Sequence, residues 1–121
     1  MAAPAPRFSA DFAGITTPFR DAEEAWFWTA SALVARREGT HAEPGSGRVD
    51  RPCDPDDVVL CLDTLYRRGR ITTAHGAVLR RWGERGEAPE TRRPVERQAA
   101  QLWREALAWL DWPLRAKGIV A

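Results

Sequence analysis

The stretch RRGRITTAHGAVLRRWGERG, residues 67–86, sets six arginines around what reads as a tight turn followed by a helix. Gly69 breaks the helical pattern before it, and Thr72 or Thr73 offers a hydroxyl to cap the next helix. On a helical wheel Ala74, His75, Val78, Leu79 and Trp82 then share one arc, while Thr73, Ala77, Arg80 and Arg81 share the other. This third helix of the chain is expected to run to about Trp82, with Gly83 and Gly86 ending it.

Just upstream, DPDD at 54–57 places a capping aspartate, a first-turn proline and two more acids ahead of an apolar run. It is the strongest helix start in the chain and predicts a second helix from roughly Asp54 to Arg68. Val58, Val59, Cys61, Leu62, Leu65 and Tyr66 fall on one arc of it, and Leu60 lies on the wrong side. The second and third helices thus stand in the order helix, short turn with Gly69, helix, which is that of a helix-turn-helix pair. Arg68 and His75 occupy positions that this motif fills with small or apolar residues, so the match is partial.

Further upstream, residues 38–53 are rich in glycine and proline and form a long loop for a compact domain. Before that loop a first helix is expected from about Pro18 to Arg37, with Thr17 as its cap and acids in its first turns. Residues 1–16 have no hydrophobic period and read as a flexible arm able to dock Phe8 or Phe12 on the body. Downstream, a loop with two prolines precedes a fourth helix from about Pro94 to Trp112, which Pro113 stops or kinks. Val95, Ala99, Leu102, Trp103, Ala106, Leu107, Trp109 and Leu110 cover about half its circumference, which makes it the central helix. No repeat and no strand pattern emerges. The expected architecture is all-α: a small four-helix domain over residues 17–121.

The first helix is apolar on two sides. Phe19, Ala22, Trp26, Phe27, Ala30, Leu33 and Val34 form one face; Ala25, Trp28, Ala32 and Ala35 form another at heptad-like spacing. Either this helix lies between two others within the domain, or the second face is an interface for a protein partner or a second copy, centred on Trp28.

Composition bounds function. The chain has 121 residues, of which 44% are hydrophobic and 29% charged, with six tryptophans, as a folded domain requires. The net charge of +1 gives no general affinity for nucleic acid, but the charge is segregated. Residues 64–86 hold six arginines and one acid, a balance of +5, against −5 for residues 1–63. Only Lys117 among the basic residues is a lysine, a bias that coding preference explains as readily as phosphate recognition does.

The opening stretch therefore suggests duplex DNA as a partner. Arg67, Arg68 and Arg70 stand at the turn near phosphates; Thr72, Thr73, Arg80 and Arg81 are placed for backbone or base-edge contacts, and Arg85 closes the basic segment. The expected function is a small non-enzymatic DNA-binding regulatory or accessory protein. The alternative is a helical protein–protein interaction module that docks through its first helix.

No catalytic constellation appears. His75 sits within an apolar arc, where a histidine satisfied by its surroundings is the ordinary case. A zinc set of His41, Cys53, Cys61 and His75 lacks the short ligand pairings of structural zinc modules, and the acids around Cys53 favour its neutral thiol. There is no phosphate loop, serine elbow or helix-borne metal pair, so no cofactor and no metal are expected. No run approaches the roughly 18 to 20 apolar residues of a membrane span, and the first residues lack a signal-peptide core. The expected setting is cytoplasmic.

Overall fold

A computed structural model describes residues 16–39 and 49–121. Among these the chain forms four α-helices: α1 Ala22–Arg37, α2 Pro55–Arg67, α3 Thr73–Arg85 and α4 Arg97–Ala116, the last entered by a 3-10 turn at Pro94–Glu96. The all-α architecture read from the sequence is the one observed. The expected arm at 1–16 lies, but for residue 16, outside the described residues, as does the middle of the expected loop at 38–53.

α1 and α4 each pack on all three other helices, whereas α2 and α3 pack mainly on α1 and α4. Centrality is therefore shared between α1 and α4. α1 is buried on several sides because alanines let its neighbours approach: Ala22, Ala25 and Ala30 are all in the core. Trp26 and Trp103 are buried nearby, each with its indole N–H satisfied. Trp26 donates to the Leu79 carbonyl at 2.8 Å and Trp103 to the Glu23 carboxylate at 2.8 Å.

The helix starts follow local chemistry where that chemistry is strong. At α2 the Asp57 carboxylate accepts the Asp54 N–H at 2.8 Å, and Pro55 takes the first turn. At α3 Thr72 is the cap and accepts from the His75 N–H. Between these helices Gly69, at φ 75°, adopts the left-handed conformation that lets the Arg70 N–H return to the Leu65 carbonyl at 2.9 Å. Ile71, 4% exposed, then pins the turn into the core.

Three expected boundaries move. α1 starts at Ala22 with Asp21 as its cap, not at Pro18. Phe19 is held extended: its N–H donates to the Ile119 carbonyl at 2.8 Å, and its carbonyl accepts the Ala121 N–H at 2.9 Å. The two segments form a parallel bridge between Phe19 and Val120. Asp21 accepts from Glu24, and Asp111 of α4 accepts the Ala22 N–H, so two carboxylates cover the amides at the start of α1.

α3 does not stop at Trp82 but continues through Gly83 to Arg85 before Gly86. A Cβ on Gly83 would lie 2.5 Å from Trp26 Nε1 and 3.0 Å from the Ala30 Cβ. That glycine is where α3 admits the Trp26 indole, not where the helix ends. α4 likewise continues through Pro113 to Ala116. Interior proline costs an N–H and crowds the carbonyl four residues before it, but Leu114 beyond it is fully buried, its carbonyl taking the N–H groups of Ile119 and Val120, and this burial holds the last turn. Four side chains assigned to core faces point outward instead: Tyr66, Ala74, Val95 and Trp109 are all exposed.

Candidate functional site

The wheel of α3 is oriented largely as its sequence requires. Leu79 and Trp82 are buried, Val78 and His75 half-buried, while Thr73, Ala77, Arg80 and Arg81 face solvent; Ala74, expected on the inner arc, is exposed. Every residue proposed for DNA contact is exposed: Arg67, Arg68, Arg70, Thr72, Thr73, Arg80, Arg81 and Arg85. Thr72 and Thr73 open α3, and the six arginines divide into three groups.

Arg80 and Arg81 lie on the outer face of α3, with the small residues Thr73, Ala74, Gly76 and Ala77 preceding them. Arg80 pairs with Glu84 at 3.3 Å, and Arg37 of α1 reaches the same carboxylate at 2.9 Å. The hydrogen bond from Arg37, joined by that from Arg80, holds the Glu84 carboxyl below the usual range. Arg67, Arg68 and Arg70 cluster at the turn. Arg67 pairs with Asp63 at 3.0 Å, and the Arg70 guanidinium stands 5.4 Å from the centroid of Trp109. Arg85 covers the Trp82 ring at 4.3 Å and pairs with Glu87 at 3.2 Å, which commits it to the end of α3.

The His75 ring is engaged on both nitrogens. Its Nδ1 accepts the Thr72 N–H at 2.9 Å, so in the neutral ring Nε2 carries the proton and donates to Glu105 of α4 at 2.9 Å. That bond, with a second from Gln101, holds the Glu105 carboxyl below its usual range. His75 thus ties the start of α3 to α4. Among the described residues no three His, Cys, Asp or Glu side chains gather as a metal would require; His41 lies outside them.

The second face of α1 is placed as follows. Ala25 is fully buried in the core, and Trp28, Ala32 and Ala35 are half-buried. Phe19 lies against Trp28 with ring centroids 5.1 Å apart, and the Arg51 guanidinium sits over Phe19 at 4.3 Å. Trp28, the centre of this face, is therefore met by the chain's own entry segment.

The sequence reading missed a groove of about 890 Å³ between α2 and the C-terminal half of α4. Its walls include Leu60 and Thr64 on one side and Trp109 and Trp112 on the other; Cys61, Leu65 and Ile119 line it more deeply. Leu60 is 60% exposed, Trp109 45% and Trp112 75%. Burial pushes the Cys61 thiol up, so it stays neutral. The available signal was apolar residues outside the core stripes: Leu60 off its arc, and Trp109 in a stripe too wide for a single neighbouring helix.

Among the described residues no helix is long and apolar enough to cross a membrane. Comparison of the chain with family models, curated proteins and solved structures returns no match.

Proposed function

We propose that the protein is a small, non-enzymatic, cytoplasmic DNA-binding regulatory or accessory protein that lays α3 in the major groove of a duplex. The observation that carries this reading is the solvent face of α3. Its first two turns present Thr73, Ala74, Gly76 and Ala77, and arginines stand at both ends, Arg67, Arg68 and Arg70 before it and Arg80 and Arg81 after it. Small side chains let a helix backbone come close to base edges, while flanking guanidinium groups reach phosphates. From Thr73 to Arg81 the helix rises about 12 Å, with Arg67, Arg68 and Arg70 lying beyond its start, which matches a groove about 12 Å wide. The ion pairs of Arg67 and Arg80 are exposed, and such pairs contribute little, so phosphate can replace their carboxylate partners.

The test is anisotropy of labelled random duplex DNA titrated with protein at about 50 and 200 mM salt, since counterion release makes phosphate binding steeply salt-dependent. Binding is expected to weaken sharply between the two. Replacing Arg80 and Arg81 by alanine should lower affinity and flatten the salt slope by about two units, one for each phosphate left without its arginine. Equal affinity and slope in the double variant would remove α3 from the interface.

The alternative, a helical protein–protein interaction module, has support from a different surface than the Trp28 face: the exposed apolar side chains of α2 and α4.

A further inference from the structure

Asp57, Leu60, Cys61, Thr64, Leu65 and Arg68 line the groove at spacings of three and four, one continuous stripe of α2. Trp109, Trp112 and Pro113 form the matching stripe of α4. Two helices that face each other across an open trough leave a groove into which the ridge of a further helix can pack. The trough has charge at both ends. Arg68 and Arg70 stand where α2 ends, Arg70 over Trp109; Lys117 stands at the other end, beyond Trp112 and close enough to act electrostatically on Cys61. Among the described residues none of these three cations makes an ion pair; Asp57, the carboxylate lining the trough, accepts the Asp54 N–H, a bond that does not cancel its charge, so three cations against one acid leave the lining at +2.

We infer that this trough is a docking site for an amphipathic helix of a partner protein, with leucine or aromatic anchors on one face and acidic residues flanking them. The walls decide between a helix and a small ligand. A pocket for a small molecule encloses most of its occupant, but here Leu60 and Trp112 are themselves mostly exposed, so the occupant must cover them from outside. A helix does so with anchors at i, i+4 and i+7. The charges select its sign: from Asp57 to Arg68 the trough runs about 16 Å, so acids roughly three turns apart meet Lys117 at one end and Arg68 and Arg70 at the other. The arginines of α3's outer face, Arg80 and Arg81, take no part, and this inference does not rest on DNA binding.

The experiment is a selection from a displayed library of helical peptides of about 16 residues, followed by titration of winners into the full chain with indole fluorescence as readout. Winners are expected to carry an apolar i, i+4, i+7 stripe with flanking Asp or Glu. Trp112→Ala and Leu60→Ala should each weaken them at least about tenfold. Lys117→Glu should weaken acidic winners about tenfold and spare charge-neutral versions of the same peptides. Arg80→Ala with Arg81→Ala should leave peptide affinity unchanged, which separates this site from the DNA reading. The inference is overturned if no helical peptide is enriched, if winners are basic, or if Trp112→Ala and Leu60→Ala bind as the parent does. It is equally overturned if a fatty-acid probe displaces the peptides at lower concentration than they bind, or if sedimentation shows the trough filled by a second copy of the chain.

Discussion

Trp26, where α1 crosses α3, is 6% exposed and gives its indole N–H to the Leu79 carbonyl; Trp112, on the rim of the trough, is 75% exposed. The two sit among different neighbours. Opposite Trp26 stands Gly83 of α3, small enough for an indole to fit between helices, with Ala30 one turn further along α1, and a backbone carbonyl waits for its polar edge. Across the trough, Trp109 and Trp112 look toward Leu60 and Thr64, which line the opposite wall without closing over them. A tryptophan in this protein is thus a fastener where the opposite helix gives it room and an acceptor, and an outward surface where the opposite helix stands off.

The sharpest way to break this contrast is to close the space at the first site. Gly83→Ala places a methyl against a buried indole and should cost about 3 kcal/mol, combining overpacking with the weakened Trp26 hydrogen bond. Urea unfolding measures it. Trp26→Phe in the same background should recover part of the loss, because the smaller ring withdraws from the new methyl; strictly additive costs would mean that the methyl and the indole do not meet. At the second site the same chemistry should be nearly silent. Trp112→Ala is expected to change stability by no more than about 0.5 kcal/mol, as outward side chains generally do. A loss of several kcal/mol would make Trp112 part of the core rather than of a surface.

A gentler probe compares packing with surface charge. Glu84 and Glu105 have folded-state carboxyls below their ordinary range, held there chiefly by Arg37 and His75 respectively. Their contribution to stability is complete above the ordinary carboxylate value, about 4.3, and is lost as pH falls through the lower folded-state values. Carbon-13 NMR titration of the carboxyls should show Arg37→Ala moving the Glu84 midpoint up, with Arg80 keeping part of the depression. A Glu84 midpoint that ignores the substitution would show that the pair does not form in solution.

Where a feature was decided within a few residues, the sequence revealed it. Asp54 and Pro55 located the start of α2, the pair Thr72 and Thr73 that of α3, and the helical period oriented most of the α3 face on which the DNA proposal rests. Features decided across the molecule were not legible. Thr17 and Pro18 look like a helix start, yet Phe19 is drawn into backbone pairing with Ile119 and Ala121, and the cap passes to Asp21. Gly83 looks like a terminator because a glycine's local meaning is a stop; its actual role depends on Trp26, far away in sequence. The trough was only hinted at, by Leu60 off its arc and Trp109 in an over-wide stripe, because the α2 and α4 stripes form a site only once the two helices face each other.

The bridge between Phe19 and Val120 also bears on how the chain reaches its fold. It joins residues about a hundred positions apart, and closing so long a loop carries an entropy cost that only already-formed structure can offset. The turn-linked pieces around α2, α3 and α4 can meet early, whereas the start of α1 must wait for the segment after α4. During synthesis α1 therefore leaves the ribosome before the segment that pairs with Phe19 exists. Its wide apolar surface is then most exposed to chaperones, or to aggregation, before residue 120 emerges.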